Sequence, residues 1–275
     1  MTVHYIWKNS GVQTTEKEFF PDGQLWVFTT FAVTTPNESK KFAVLALNEH
    51  IQRLFHDATR CNIALNLTLA HQSHFKSSLI KLLLQESTES GPLRVRLVIR
   101  RDDEILINFR PLNINNLDSL GISAITVYCK REMPEVKSSV ARRMSLIAQQ
   151  EANESGSQEA LLVDSLGIVR EGAWSNIFWF DNQGKLFTTK SDVLPGVTRS
   201  IILSLVPCIL HNATLDELFK SAKELLITKS TTGITPVISV NNQQIGNGSS
   251  GANTKKLCEL YNKYALINAI HLEYE

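Results

Sequence analysis

Residues 164–178, read together with 194–199, constrain this chain more than any other part of it. Two short runs rich in β-branched and aromatic residues, 167–170 and 177–180, flank Glu171, Gly172 and Ser175, and read as strand, turn, strand. Glu171 is thereby embedded at a strand end, either as a turn acid beside Gly172 or as a carboxylate aimed at a ligand. Further on, Gly196 precedes Val197 and Thr198 where a helix should start. Its open main-chain N–H groups and the Thr198 hydroxyl suit a dianion, although a capped helix without a ligand fits the same residues.

The rest of the chain reads as a mixture of strands and helices in two parts. With 275 residues it exceeds the usual single domain, and two domains with a cleft are expected. Short strands and turns fill 3–34, with Val3, Tyr5 and Trp7 alternating and Asp22-Gly23 as a turn signal. A strand at 42–47 leads to Asn48, which can cap a helix carrying His50, Arg53, Leu54 and Ala58 on helical spacing. A second helix covers 79–85, and strands at 94–100 and 105–109 are split by 101–104, so this part is α+β. The Asn-rich stretch 111–121 marks the boundary, giving a small N-terminal α+β domain at 1–112, a linker at 113–122 and a larger domain at 123–275. There we expect a strand at 124–128, a helix at 139–153, and a β-rich section through Leu161, Ile168, Ile177 and Leu186. A helix from Thr198, mixed signals at 222–228, a strand at 236–240 and a closing helix at 253–270 complete it.

Charge and cysteine content narrow the function classes. A formal net charge of +1, with Lys and Arg spread along the chain, offers no footprint for nucleic acid or an anionic membrane. The four cysteines, Cys61, Cys129, Cys208 and Cys258, form no CxxC metal or redox motif. Neither a secretory leader nor a run of about 18 apolar residues is present, so a cytoplasmic location is expected. A small-molecule site is the expectation that remains.

Lys137 follows Pro134-Glu135-Val136 and precedes a helix-like segment, where a strand end can aim its amine into a cleft. Lysine becomes a nucleophile when desolvation or nearby positive charge lowers its pKa; otherwise this is a solvated lysine. Glu171, 34 residues later, can keep a pyridine nitrogen protonated, which turns the ring into an electron sink. Asn176 is a buried amide or a ligand contact, and Ser230-Thr231-Thr232-Gly233 is a hydroxyl-rich turn that can add donors to a phosphate. Arg53 can supply a charge-assisted contact to the same group. An acid, an anion-binding helix start and an amine together suit a phosphorylated pyridine aldehyde.

The segments His50-Ile51-Gln52-Arg53-Leu54, Lys137 with 145–152, 171–178, 194–199 and Ile234-Thr235-Pro236-Val237 occur in one order across 22–257. In them the chain resembles the class IV aminotransferase family of pyridoxal-phosphate enzymes, which includes branched-chain aminotransferases, D-amino acid transaminases and aminodeoxychorismate lyases. The resemblance implies a two-domain α+β fold of the D-amino acid aminotransferase kind (fold type IV), with a small N-terminal α+β domain and a larger C-terminal β-barrel-like domain with helices. It implies that Lys137 is the Schiff-base lysine and Glu171 the partner of the ring nitrogen of pyridoxal 5'-phosphate. Arg53, Val197, Thr198 and Ser230 or Thr231 would then hold the phosphate, with Asn176 also at the cofactor. A small-molecule amine substrate and a homodimer with the active site near the subunit interface are implied as well.

Within the family, Phe28-Thr29-Thr30, the segment 50–54 and Asn176-Ile177-Phe178-Trp179 lean toward aminodeoxychorismate lyases. Arg142 stands where branched-chain aminotransferases usually carry tyrosine, and Leu25-Trp26-Val27 replaces a usual Gly-Asp/Glu-Gly. The expected reaction is therefore conversion of 4-amino-4-deoxychorismate to 4-aminobenzoate and pyruvate. The alternatives are an aminotransferase of branched-chain L- or D-amino acids and a non-catalytic cofactor-binding protein. Substrate contacts would come from a hydroxyl at Thr29 or Thr30 and from Arg101, with Arg94, Arg96 and Arg100 competing for a carboxylate. Packed strand threonines and a solvated arginine face describe the same residues.

Overall fold

The computed structural model describes residues 4–8, 11–15, 23–35, 41–64, 69–100, 104–112, 120–129 and 131–273. They group into two compact units, one of Met1–Asn113, Val136–Ser139 and Ala265–Glu275, the other of Ile114–Glu135 and Val140–Tyr264. Most of the expected linker, and Arg101, lie outside the described residues.

The first unit contains β1 (His4–Lys8), β2 (Gly11–Thr14), β3 (Val27–Thr34), β4 (Ala43–Val44), α1 (Leu47–Arg60), α2 (Leu69–Ser90), β5 (Leu93–Ile99) and β6 (Ile105–Pro111). Alternation along the strands decides which face is covered. Val27, Phe31 and Val33 of β3, with Leu93, Val95, Leu97 and Ile99 of β5, share a core with Leu47, Ile51 and Leu54 of α1 and Phe75, Leu79 and Leu83 of α2. The opposite phase gives a second cluster of Ile6, Trp26, Phe28, Val98 and Leu106. Arg94 and Arg96 occupy the same phase of β5 as Val98, and both are half-buried. Helix α1 begins one residue before Asn48, after Ala46 in a left-handed turn with φ 54° and no side-chain cap. The expected cap at Asn48 is corrected accordingly: the backbone reversal at Ala46 starts the helix, and Asn48 lies within its first turn.

The second unit holds β7 (Ile122–Tyr128), α3 (Ser139–Glu154), β8 (Glu159–Val163), β9 (Val169–Gly172), β10 (Asn176–Phe180), β11 (Leu186–Thr188), α4 (Val197–Leu205), β12 (Cys208–Leu210), α5 (Leu215–Ser221), β13 (Glu224–Lys229), β14 (Gly233–Val240), β15 (Gln243–Gln244) and α6 (Ala252–Asn268). Its sheet runs β12-β11-β10-β13-β14-β7-β8-β9, with β15 attached to β14. Three of its ladders, β11–β12, β14–β7 and β7–β8, are parallel, and α3 makes the crossover that the last of them requires. Leu161, Val163, Ile177, Trp179, Leu225, Ile227 and Val237 fill the core.

After α6 the chain returns to the first unit as β16 (Ile270–His271), which pairs with β4 and completes the order β16-β4-β3-β5-β6-β1-β2. Among the described residues no helix is long and apolar enough to cross a membrane.

Candidate active site

Helix α1 presents His50, Arg53 and Asp57 at intervals of three and four residues, which puts all three on one face. The Arg53 Nη2 group donates to Thr29 Oγ1 at 2.8 Å, and Thr29 Oγ1 lies 2.8 Å from His50 Nδ1. The Thr29 hydroxyl has one proton and two lone pairs, so beside the arginine it either donates to His50 Nδ1 or accepts from it, according to the ring tautomer. Burial first, then the charges of Arg53 and Lys137, hold the His50 pKa well below the usual histidine value. Burial also lowers Arg53 to about 10, partly offset by Asp57, so the guanidinium stays charged at neutral pH. Its Nε is closed off from solvent and has no hydrogen-bond partner among the described residues.

Lys137 lies on a short stretch that pairs with the start of β3 across 110 positions of sequence. Val27 and Ser138 form a bridge, Phe28 N donates to Lys137 O at 2.9 Å, and Ser139 N donates to Trp26 O at 2.8 Å. On its other side, the Lys137 main-chain N–H donates to Asp57 Oδ2 at 3.1 Å. The side-chain Nζ stands 4.8 Å from the centre of the Phe28 ring. Arg96 also lies against that ring, at 5.3 Å, and its Nε donates to Thr30 Oγ1 at 3.1 Å. Of the two candidate hydroxyls, Thr29 is fully buried and occupied by Arg53 and His50, whereas Thr30 is half-buried and engaged by Arg96.

In the second unit Glu171 is 2% exposed on β9, with both carboxylate oxygens engaged. Arg131 Nη1 donates to Oε1, while Asn176 Nδ2 at 3.2 Å and Leu194 N at 3.0 Å donate to Oε2. Asn176 donates as well to Leu194 O at 2.9 Å, so one amide ties the acid to the segment that leads into α4. Gly196 precedes that helix in extended conformation, without a side-chain cap. A Cβ there would overlap Asn176 Oδ1, so only glycine lets the helix start approach the Glu171 network.

Val197 and Thr198 are both buried in the first turn of α4, whose leading N–H groups have no partner inside the helix. Burial raises the Tyr261 pKa, opposed by the neighbouring Thr198 hydroxyl. Ser230 and Thr231 form a half-buried turn between β13 and β14. Beside that turn, Thr228 Oγ1 is buried without a partner among the described residues, and Lys229 Nζ pairs with Glu159 at 2.6 Å. Arg142 is half-buried near the start of α3. Arg131, His50 and Asp57 were not anticipated as site residues. The rule that a buried carboxylate needs a partner calls for one at Glu171 without saying that it is Arg131.

The residues fit a phosphorylated pyridine aldehyde. Taken within its own unit, the Arg53 guanidinium with its unpartnered Nε suits an anion; within the other, the braced Glu171 carboxylate suits a pyridine nitrogen and the glycine-opened start of α4 suits a phosphate.

The description "Amino-transferase class IV" matches residues 26–240. The chain is similar to a putative branched-chain-amino-acid aminotransferase of Methanocaldococcus jannaschii, with 32% identity over 79% of this chain and 81% of that protein. It is also similar to a D-alanine aminotransferase of Bacillus licheniformis, with 28% identity over 78% of this chain and 80% of that protein. In three dimensions it is similar to the branched-chain amino acid aminotransferase of Thermobaculum terrenum in its PLP form, at a TM-score of 0.84 and 18% identity over 98% of each chain. The fold is that of the fold type IV aminotransferases. Class IV aminotransferases use pyridoxal 5'-phosphate. The expected aminodeoxychorismate lyase is overturned by these relatives, which are named as aminotransferases.

Proposed function

Because the chain belongs to amino-transferase class IV, we propose that it transfers the amino group of branched-chain amino acids to a 2-oxo acid. The observation that carries this reading is the 32% identity to the Methanocaldococcus jannaschii protein along 79% of the chain. Similarity to the Bacillus licheniformis D-alanine enzyme favours a second reading, transfer from D-alanine.

In the proposed mechanism Lys137 would hold the cofactor through its amine, and Arg53, the N–H groups of Val197 and Thr198, and Ser230 or Thr231 would hold its phosphate. Thr29 keeps Arg53 in place, and Asn176 braces Glu171. When bound, pyridoxal 5'-phosphate supplies an aldehyde for amine exchange and a protonated ring that takes up the electron pair left when the Cα–H bond breaks. Glu171, fixed by Arg131, Asn176 and Leu194, would accept a hydrogen bond from the ring nitrogen and favour its protonated form. Lys137 Nζ would be the base that takes and holds the substrate Cα proton. Thr30 and Arg96, both beside Phe28, contact the substrate. A homodimer is part of this reading, and light scattering of the purified chain tests it.

The substrate test is direct. The purified chain with pyridoxal 5'-phosphate and 2-oxoglutarate should form glutamate with L-leucine, L-isoleucine or L-valine. Turnover confined to D-alanine would select the second reading, and no turnover with either would defeat both.

A further inference from the structure

Asp57 is an acid in a place that chemistry otherwise reserves for apolar groups. It is 1% exposed on α1, between Leu54 and Ala58 of the first unit's core. Burying a carboxylate costs several kcal/mol unless partners compensate. The described compensation is thin: Oδ2 accepts the Lys137 N–H at 3.1 Å, and Oδ1 is buried without a hydrogen-bond partner among the described residues. The charged or titratable groups facing it are Arg53 and His56 on its own helix, Cys61 just past the end of that helix, and Lys137 on the neighbouring stretch.

The Lys137 main chain is held from two directions. Its carbonyl side is fixed by β3, through Phe28 N, and its N–H side by α1, through Asp57. One turn earlier on that helix stands Arg53, about 6 Å along the axis. A single rigid element thus spaces the anion-gripping guanidinium from the main chain that carries the amine.

We propose that Asp57 is the positioning residue of Lys137: its buried carboxylate anchors the Lys137 main-chain N–H to α1 and thereby sets where the side-chain amine stands. This rests on the reading above, in which Lys137 captures the cofactor's aldehyde. Burial raises the Asp57 pKa, opposed by the Lys137 N–H, Arg53, His56 and the Lys137 charge. The anchor does not depend on the ionised form, because a neutral carbonyl oxygen accepts the same N–H.

That property supplies the test. The full chain, stripped of cofactor, is mixed with pyridoxal 5'-phosphate and quenched with borohydride at timed intervals, and the adduct on the Lys137 peptide is measured by mass spectrometry. Asp57→Ala and Asp57→Leu should slow labelling at least tenfold, whereas Asp57→Asn should stay within threefold of the natural chain. In steady-state assays kcat should fall in the first two variants while the KM for the amino acid stays within twofold. Labelling of Asp57→Ala or Asp57→Leu at the natural rate overturns the proposal. So does an Asp57→Asn protein slowed tenfold, which also serves if the other two variants do not fold. Failure of the unsubstituted chain to label at Lys137 would overturn the functional reading, and this proposal with it.

Discussion

Replacing Arg131 with methionine should be among the most damaging single changes in this chain, because it leaves the buried Glu171 carboxylate without its arginine partner. Breaking a buried pair by removing one partner costs about 3–5 kcal/mol, which urea unfolding would measure. Adding Glu171→Gln to that variant should recover part of the loss. His50 gives a prediction in pH. Its folded pKa lies below the unfolded value of about 6.5, so the unfolded chain binds the extra proton. Stability from this residue is therefore complete above about pH 6.5 and declines below it, by up to about 1.4 kcal/mol per pH unit, until the folded pKa is reached. Thermal melts between pH 7.5 and 5 should show that slope, and His50→Asn should flatten it. Lys137 and Glu171 could be put forward as candidates from sequence because the segments that hold them occur in the order shared with a known family. Arg131 could not, because nothing local at position 131 announces a partner 40 residues on.

Among the elements, helices and strands with strong periodicity were legible, and their ends were not. The long helix at 139–154 was expected to within a residue, since its small buried positions, Ala141, Ser145, Ala148 and Ala152, repeat on helical spacing. α5 was missed although its signal is present: Thr214 and Glu217 form a capping box, each side chain bonding the other's main-chain N–H. Thr214→Ala should cost about 1 kcal/mol, read as a drop in melting temperature. At α4 the decisive residue is Gly196. Alanine there would push against Asn176, which Glu171 and Leu194 hold in place. Gly196→Ala should thus lower stability by about 1–3 kcal/mol and weaken retention of pyridoxal 5'-phosphate on dialysis, a loss followed by absorbance.

For the molecule as a whole, the sequence showed a mixed fold with apolar residues enough for two cores. It did not show which distant segments complete each one. Val136–Ser139 and Ala265–Glu275 group with the first unit, because the former pairs with β3 and β16 pairs with β4. Hydrophobic patterning identifies a strand but not its neighbour when more than a hundred residues intervene. Leu272 seals that return: it is 3% exposed in the first unit's core, and its N–H donates to Phe42 O at 2.8 Å. Leu272→Ala should cost about 2–5 kcal/mol, measurable by denaturant titration.

The same return has a consequence for how the polypeptide is made. Although nascent domains generally mature in order of synthesis, the earliest-translated sheet here waits for position 272 to leave the ribosome before its core is sealed. Until then β4 has an uncovered edge open to wrong pairing, so slowing translation should prolong the time the growing chain depends on chaperones.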